Sequence, residues 1–368
     1  MPFIFIDQDV YTYTLAVPYT ENARPTGCNR STGEDGMVTS RDVARLAGVS
    51  QATVSRALAG SSKVSPDTRD RIHEAMTALN YVPHAGAQAM KTRRTHVLGL
   101  VVAEITNPFY AELLDELTQQ LHAAGYRLVI WNAGATGHGD ALTAIAERAV
   151  DGVIFTTATD DSPELHAALA QGSPLVLINR VVDNLDCDQV TSDNYSGGAA
   201  VADYLVDNGR VHAAFIGGSE NASTSRQRGA GFLDRMAERG HPIAEPLRRH
   251  GDFSHDSTVR IMTVLLDLPR PPDAVFCAND FMAFGALDAV RASDRSTQPP
   301  VWVIGYDDVE MAAWASLSLT TVRQPSREMA RAGARMLLQR LDDPTRDPQR
   351  MVFPSELIVR DSTGNARP

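Results

Sequence analysis

The first regular pattern in the chain begins at Met37. In VTSRDVARLAGVSQATVSRAL, apolar residues recur at helical spacing twice: Val43, Leu46 and Ala47 share one face of a first helix, and Val54, Ala57 and Leu58 one face of a second. Thr39 or Ser40 can cap the first helix, Gly48 supplies permissive backbone for a tight turn, and Ser50 can cap the second. Ser65 followed by Pro66 reads as an N-cap with a first-turn proline, opening a third helix with Ile72, Ala75, Met76 and Leu79 inward. From Val97 the period changes. VLGLVV, RLVIW, GVIFT and PLVLIN alternate with helical patterns over 109–124, 141–150 and 163–170. After SDNYSGG come AAFIGG, AVFCAND, VWVIGYDD and a last strand, MVFPSELIV. Strand and helix repeated at this spacing predict parallel sheets with helices on both faces and ligands at the strands' carboxyl ends. Two such sheets facing each other make a clamp.

Composition narrows the picture. A length of 368 residues with 43% apolar content suits two or three cored domains rather than disorder. The net charge of −11 excludes a uniformly basic coat. The charge is unevenly spread, however: residues 37–95 hold nine Lys/Arg against four Asp/Glu, a net of +5, while residues 1–36 carry −3 and the remainder −13. A small basic module ahead of a large acidic one suits contact with phosphates at one end only. Cys28, Cys187 and Cys277 form neither a metal pattern nor a disulfide framework, which fits a reducing cytoplasm. No apolar run is long enough to span a bilayer, and Asp7 and Asp9 interrupt any secretory signal. Residues 1–36 lack periodicity and are expected to be a disordered or untranslated extension, with Met37 the natural start.

The chemistry of the basic module points to duplex DNA. Two helices joined by a Gly-containing turn form a helix-turn-helix, whose second helix fits the major groove. The inward stripe of that helix leaves Gln51, Ala52, Ser55 and Arg56 outward. Arg suits guanine, Gln suits adenine, and an Ala methyl suits the thymine methyl. In the acidic part, polar residues gather after predicted strands: Asn107, Pro108, Phe109 and Tyr110; Asn279 and Asp280; Tyr306, Asp307 and Asp308. Arg228 opens a later helix, and Phe253 follows a Gly-Asp pair. Carboxylate and amide groups beside aromatic walls suit a polyhydroxylated ligand. Enzyme signatures are missing: no GxGxxG, HExxH or GxSxG is present, and GATGHG (134–139) lacks the Lys and Ser/Thr of a phosphate loop. Neither catalysis, a metal nor a cofactor is expected.

DVARLAGVSQATVSRAL, followed by KVSPDTRDRIHEAMTALNYVPHAGAQAMK, resembles the headpiece of the lactose-repressor and galactose-repressor (LacI/GalR) family, and the likeness runs to about residue 361. It implies a small all-α helix-turn-helix headpiece plus an α/β, two-lobed, periplasmic-binding-protein-like effector domain. The expected boundaries are 37–82 for the headpiece, 83–95 for a hinge helix and linker, and 96–368 for the body. The N-lobe would take about 96–193, the C-lobe about 194–323, each with part of 324–368. By the same resemblance Gln51 and Ala52 sit where the family varies its base choice, and Arg56 where it commonly contacts a base. Thr39, Ser50, Thr53, Ser55 and Lys91 belong to the DNA side. Met90 takes the place of an apolar side chain that the family's hinge pushes into the minor groove. Arg228, Asn279 and Asp307 fall on effector-holding positions, Phe109 and Phe253 on lining ones, with Tyr110 and Asp280 beside them. The expectation is a homodimeric regulator, most simply a repressor, on palindromic DNA with a sugar-like effector. The alternative is a soluble sugar-binding protein without a DNA role, which would not need the headpiece.

Overall fold

The computed structural model describes residues 38–58, 61–81, 94–133, 138–293 and 300–364. The extension at 1–36 and the hinge segment at 83–91, with Met90 and Lys91, lie outside these residues. The chain divides between Pro83 and His84 into two units.

The first unit holds α1 (Ser40–Ala47), α2 (Gln51–Leu58) and α3 (Pro66–Ala78). Each start is capped from the sequence. The Asp42 carboxylate accepts from the Thr39 N–H at 3.0 Å and hydroxyl at 2.8 Å, Ser50 Oγ from the Thr53 N–H at 3.1 Å, and Ser65 Oγ from the Thr68 N–H at 3.3 Å. Val43, Ala44, Ala47, Val54, Ala57, Val64, Ile72 and Ala75 form the core. The inward placement of Leu46 is corrected: Leu46 is 56% exposed, and Ala44 is buried instead. Both α2 and α3 clasp α1, so its buried stripe centres on Val43, Ala44 and Ala47. At 100° per residue Leu46 stands about 110° from that centre.

Gly48 ends α1 with φ 64°, its N–H bonded to the carbonyls of Ala44 and Arg45. A side chain costs about 1–2 kcal/mol in this left-handed region. A Cβ would also stand 3.0 Å from Arg71 Nη2, which donates to the Ala47 carbonyl. In Gly48→Ala, amide exchange across residues 40–58 of the full chain, read by mass spectrometry, should quicken about 5–30-fold. Unchanged exchange would remove the turn from the account.

In the second unit the order is β1 (Val97–Val102), α4 (Phe109–Ala123), β2 (Arg127–Asn132), α5 (His138–Ala146), β3 (Gly152–Phe155), α6 (Pro163–Ala170), β4 (Leu175–Ile178) and β5 (Asp188–Ser192). Then follow α7 (Asn194–Asp207), β6 (Ala213–Gly217), α8 (Ser223–Glu238), β7 (Arg248–His250), α9 (His255–Leu266), β8 (Ala274–Cys277), α10 (Asp280–Ala292) and β9 (Trp302–Ile304). The last elements are β10 (Thr321–Arg323), α11 (Ser326–Asp342), β11 (Arg350–Phe353) and β12 (Glu356–Ile358). One parallel sheet runs β11-β5-β4-β3-β1-β2 and a second β7-β6-β8-β9; β10 and β12 pair antiparallel. The inner strands of the first sheet, β1, β3, β4 and β5, are buried on both faces. Leu98, Leu100, Val102, Ile154, Val176 and Ile178 point to one apolar cluster, while Val101, Val153, Phe155, Leu175 and Leu177 point to another. That alternation is the two-residue period of a strand whose neighbours are helices on each side.

Several elements depart from the sequence reading. MVFPSELIV is two strands: β11 joins the first sheet and β12 pairs with β10, because Pro354 has no N–H to continue a ladder and the chain leaves one lobe for the other there. The helix expected over 141–150 runs from His138 to Ala146. The DQVTS strand β5 is buried yet polar, since Asp188 pairs with Arg340 at 3.0 Å and accepts the Gln349 N–H at 2.9 Å. The RRH strand β7 lies at a sheet edge, where a polar run is tolerated. Neither polar strand has the apolar run that marks the others. No helix among the described residues is long and apolar enough to cross a membrane.

Candidate DNA-reading surface and effector cleft

On the headpiece, α2 buries Val54 and Ala57 and exposes Gln51, Ala52 and Arg56. Thr53 and Ser55 are half-buried on the flanks. Gln51 Nε2 donates to Ser40 Oγ at 2.9 Å, a bond between exposed side chains that a base edge can replace. Thr39 and Ser50 are the caps themselves. Their hydroxyls are engaged with Asp42 and Thr53, so on the free protein they hold helix ends. The Ser50 cap brings the start of α2, with its N–H groups and positive dipole end, to the surface, the arrangement that suits a phosphate.

In the second unit a cavity of about 390 Å³ opens at the carboxyl ends of both sheets. Phe109, Tyr110, Arg228, Phe253, Asn279 and Asp307 all line it, together with Asn107. The position of Arg228 depends on close helix packing: α7 meets α8 at Gly198, where a Cβ would stand 2.1 Å from the Arg228 carbonyl oxygen. Arg228 is 3% exposed. Its Nε donates to Asn194 Oδ1 at 2.8 Å, its Nη1 to the Ala278 carbonyl at 2.6 Å, and its guanidinium lies 3.7 Å over the Tyr306 ring. Asp307 Oδ1 is 3.3 Å from Arg228 Nη1 and accepts from Gln324 Nε2 at 2.7 Å. Arg228 Nη2 and Asp307 Oδ2 make no such bond among the described residues, so one donor group and one acceptor remain for a ligand.

Gln324 extends this pair toward the lobe crossings. Its Oε1 accepts from the Ser192 hydroxyl at 3.0 Å, and Ser192 lies 3.4 Å from Asn194 Oδ1, which returns to Arg228. Residues 192–194 and 324–326 are two of the places where the chain passes between lobes. The ring therefore ties the cleft to the segments that must rotate if the lobes move.

Asp280 does not belong to the cleft, which corrects the expectation drawn from its position beside Asn279. Its carboxylate is fully buried, accepts the Val309 N–H at 2.9 Å and the Thr321 hydroxyl, and braces the turn after β9. Burial and the nearby Asp307 charge push its pKa well above the usual carboxylate range. Asn279 lines the cavity and also caps α10 through Oδ1, which accepts the Met282 N–H at 2.9 Å. Asp308 pairs with Arg323 and Arg360 outside the cavity, and Tyr306 is the buried ring beneath Arg228. For Asp307, burial outweighs Arg228 and Gln324, and its pKa is pushed up to about 7.

Sequence reasoning missed Asn179 and Arg180, which follow β4, and Ser219 and Thr224 after β6. The available signal was the strand-end rule itself, applied to PLVLI-NR and AAFIG-GS. Asn179 (φ 78°), Phe253 (φ 66°) and Asp307 (φ 123°) all hold left-handed backbone, an unusual conformation that three cleft-lining side chains share. The Asn179 Oδ1 is buried with no hydrogen-bond partner.

Comparison with known proteins gives the family. The profile of bacterial regulatory proteins of the lacI family matches residues 39–84, and that of a periplasmic binding protein-like domain matches 202–363. The HTH-type transcriptional repressor PurR of Vibrio parahaemolyticus is 32% identical over 330 residues, covering 89% of this chain and 98% of that protein. The chain belongs to the LacI family. As a member it is a helix-turn-helix transcriptional regulator and not an enzyme. Among solved structures, the complex of the transcriptional regulator CelR with cellobiose shares 34% identity at TM-score 0.68, covering 89% of this chain and all (100%) of that one. The lac repressor dimer bound to operator and the anti-inducer ONPF shares 27% at TM-score 0.77, covering 89% and 99%. The LacI-family fold, a helix-turn-helix region followed by a two-lobed body of parallel sheets, is thus the one the alternating pattern predicts.

Proposed function

We propose that this LacI-family member is a homodimeric repressor whose hold on a palindromic operator is set by a sugar-like effector in the cleft. The headpiece would span 37–82, the hinge 83–95 and the body 96–368, with Met90 as the minor-groove wedge and Lys91 beside it. Gln51, Ala52 and Arg56 read base edges, Thr53 and Ser55 flank them, and the Thr39 and Ser50 caps face phosphates. Two-fold symmetry of the protein requires two-fold symmetry of the site. The Lac repressor dimer on its operator supports this reading by likeness.

The observation that carries the effector half is unspent hydrogen-bonding capacity on both walls of one cleft. Arg228 and Asp307 present a donor and an acceptor from one lobe, and Asn179 an orphan acceptor from the other. A buried acceptor without a partner costs about 1–3 kcal/mol, which a ligand hydroxyl would recover. Phe109, Tyr110 and Phe253 supply faces for the apolar side of a sugar ring, and the cellobiose complex of CelR supports the class. A ligand bridging the walls favours the closed lobes, and the Gln324 ring transmits that choice to the crossings. Binding to one state over the other by about 1–3 kcal/mol is enough for control. The test is selection of bound DNA from a random duplex library by the full-length protein. Enrichment of an inverted repeat supports the reading, and recovery of unrelated sequences contradicts it.

Protonation gives a second check. A ligand hydroxyl donates to the ionised Asp307, so binding lowers a pKa that burial has raised to about 7. Affinity should then rise with pH through this value: the ionised fraction climbs about tenfold from pH 6 to 8, and Kd should fall by about that factor. Calorimetry in Asp307→Asn should show a flat profile. A wild-type Kd that does not change over this range would detach Asp307 from the ligand.

A further inference from the structure

Where the chain enters the body, Arg94, Thr95 and His96 are held from several sides. The Asp151 carboxylate accepts the Thr95 N–H at 2.6 Å and hydroxyl at 2.9 Å through Oδ1, and the His96 N–H at 2.9 Å through Oδ2. Charge-assisted bonds from two consecutive residues fix direction as well as position, where a single bond would leave a pivot. His96 is turned by them: its φ is 54°, a left-handed value that a residue with a Cβ keeps only when its surroundings impose it. On its other flank the His96 carbonyl accepts the Arg127 N–H at 2.9 Å, and the imidazole packs on the Tyr126 ring with 5.5 Å between centres.

Arg94 braces the same point against a different element. Its Nη2 donates to the Leu341 carbonyl at 3.0 Å and to Asp342 Oδ1 at 3.3 Å, and its Nη1 to the Tyr126 hydroxyl at 3.4 Å. Leu341 stands in the last turn of α11, where carbonyls have no partner within the helix, so a guanidinium suits that end in hydrogen bonding and in charge. Asp151 is itself fixed just before β3, since its N–H donates to the Val97 carbonyl at 2.8 Å. The anchorage lies at the amino ends of β1, β2 and β3, opposite the carboxyl ends where the cleft opens.

A tethered headpiece finds its half-site according to how its tether leaves the body. A fixed exit concentrates the headpiece at one separation from the partner's headpiece, whereas an exit free to swing spreads it over many. One base pair added at the centre of an operator moves a half-site by about 3.4 Å and turns it by about 35°, enough to tell the two cases apart.

We propose that Asp151 is a positioning residue for operator choice: with Arg94 as its brace, it fixes the direction in which the DNA-side segment leaves the body, and so the half-site spacing the dimer accepts. This rests on the palindromic-operator reading and goes beyond it, assigning spacing to a residue outside both the reading helix and the cleft.

The experiment takes the inverted repeat selected by the full-length wild-type protein. Anisotropy titrations measure Kd on that duplex, on versions with one base pair inserted or removed at the centre, and on random duplex. Wild type should lose about tenfold or more for either change of spacing. In Asp151→Ala that penalty should shrink to about threefold or less, because the native spacing binds more weakly, with random-duplex binding within about twofold of wild type. Asp151→Asn, which keeps the shape but turns one acceptor into a donor facing an N–H, should fall between the two and serves if the Ala variant fails to fold. A clamp that only stabilises the body would lower the melting temperature and leave the spacing penalty at its wild-type size. That result would overturn the proposal while the operator reading stands, as would a wild type indifferent to spacing. Recovery of no inverted repeat would overturn both.

Discussion

Arg56→Ala is expected to lower affinity for the cognate operator by about 2–6 kcal/mol in the dimer. A good bidentate contact to guanine discriminates by about 1–3 kcal/mol, and each half-site loses one. In Kd this spans about thirtyfold to about twenty-five-thousandfold. Binding to random duplex should change little, and the salt slope should fall by no more than about one unit per half-site. The reasoning starts from burial: Val54 and Ala57 fasten α2 to the core, and Arg56, about 130° around the helical wheel from their midpoint, is left exposed. Among the described residues Arg56 makes no side-chain bond of the kind that ties Arg71 to the Ala47 carbonyl, so its loss should leave the headpiece folded. Anisotropy titrations on operator and random duplex would measure both. Equal losses on the two would make Arg56 a phosphate contact and shift base reading to Gln51 and Ala52.

Asp307→Asn is expected to remove the effector response while operator affinity stays within a few-fold of wild type. The amide keeps the shape but cannot offer a charged acceptor to a ligand hydroxyl, and charge-assisted hydrogen bonds contribute about 1.5–3 kcal/mol. The change also leaves Arg228 as a buried guanidinium without its counter-ion. Breaking such a pair from one side costs about 3–5 kcal/mol in the general case, and the Arg228 bonds to Asn194 and the Ala278 carbonyl offset part of that. A lower melting temperature of the body is therefore expected together with the lost response. Effector titrations of the operator complex, read beside thermal melts, separate the two. A normal dose response in Asp307→Asn would place the ligand elsewhere.

What the sequence revealed follows from how local each signal is. The headpiece was legible because its caps, turn glycine and inward stripes all lie within a few residues of one another: Thr39 with Asp42, Ser50 with Thr53, Ser65 with Thr68. Leu46 was misplaced because two turns of helix do not fix where the stripe is centred until the partners are known. The strands carrying long β-branched runs were legible, while β5 was not, since its buried Asp188 is held by Arg340 from α11, 152 positions later. Asp280 and Asp307 show the same limit in the cleft. Each is an Asp near a strand end, and only the fold turns one inward to the Thr321 hydroxyl and the other toward Arg228. Arg180 went unnoticed because a single Arg after a strand has no partner in sequence to mark it.

The central claim is that ligand occupancy of the cleft governs operator binding, and the most direct measurement is the operator Kd of the full-length dimer with and without saturating sugar ligand. The account predicts a change of about 5–150-fold in the presence of a cleft-binding sugar, matched by a change of the same factor in sugar affinity when operator is bound. A sugar that binds the cleft with unaltered operator Kd would contradict it.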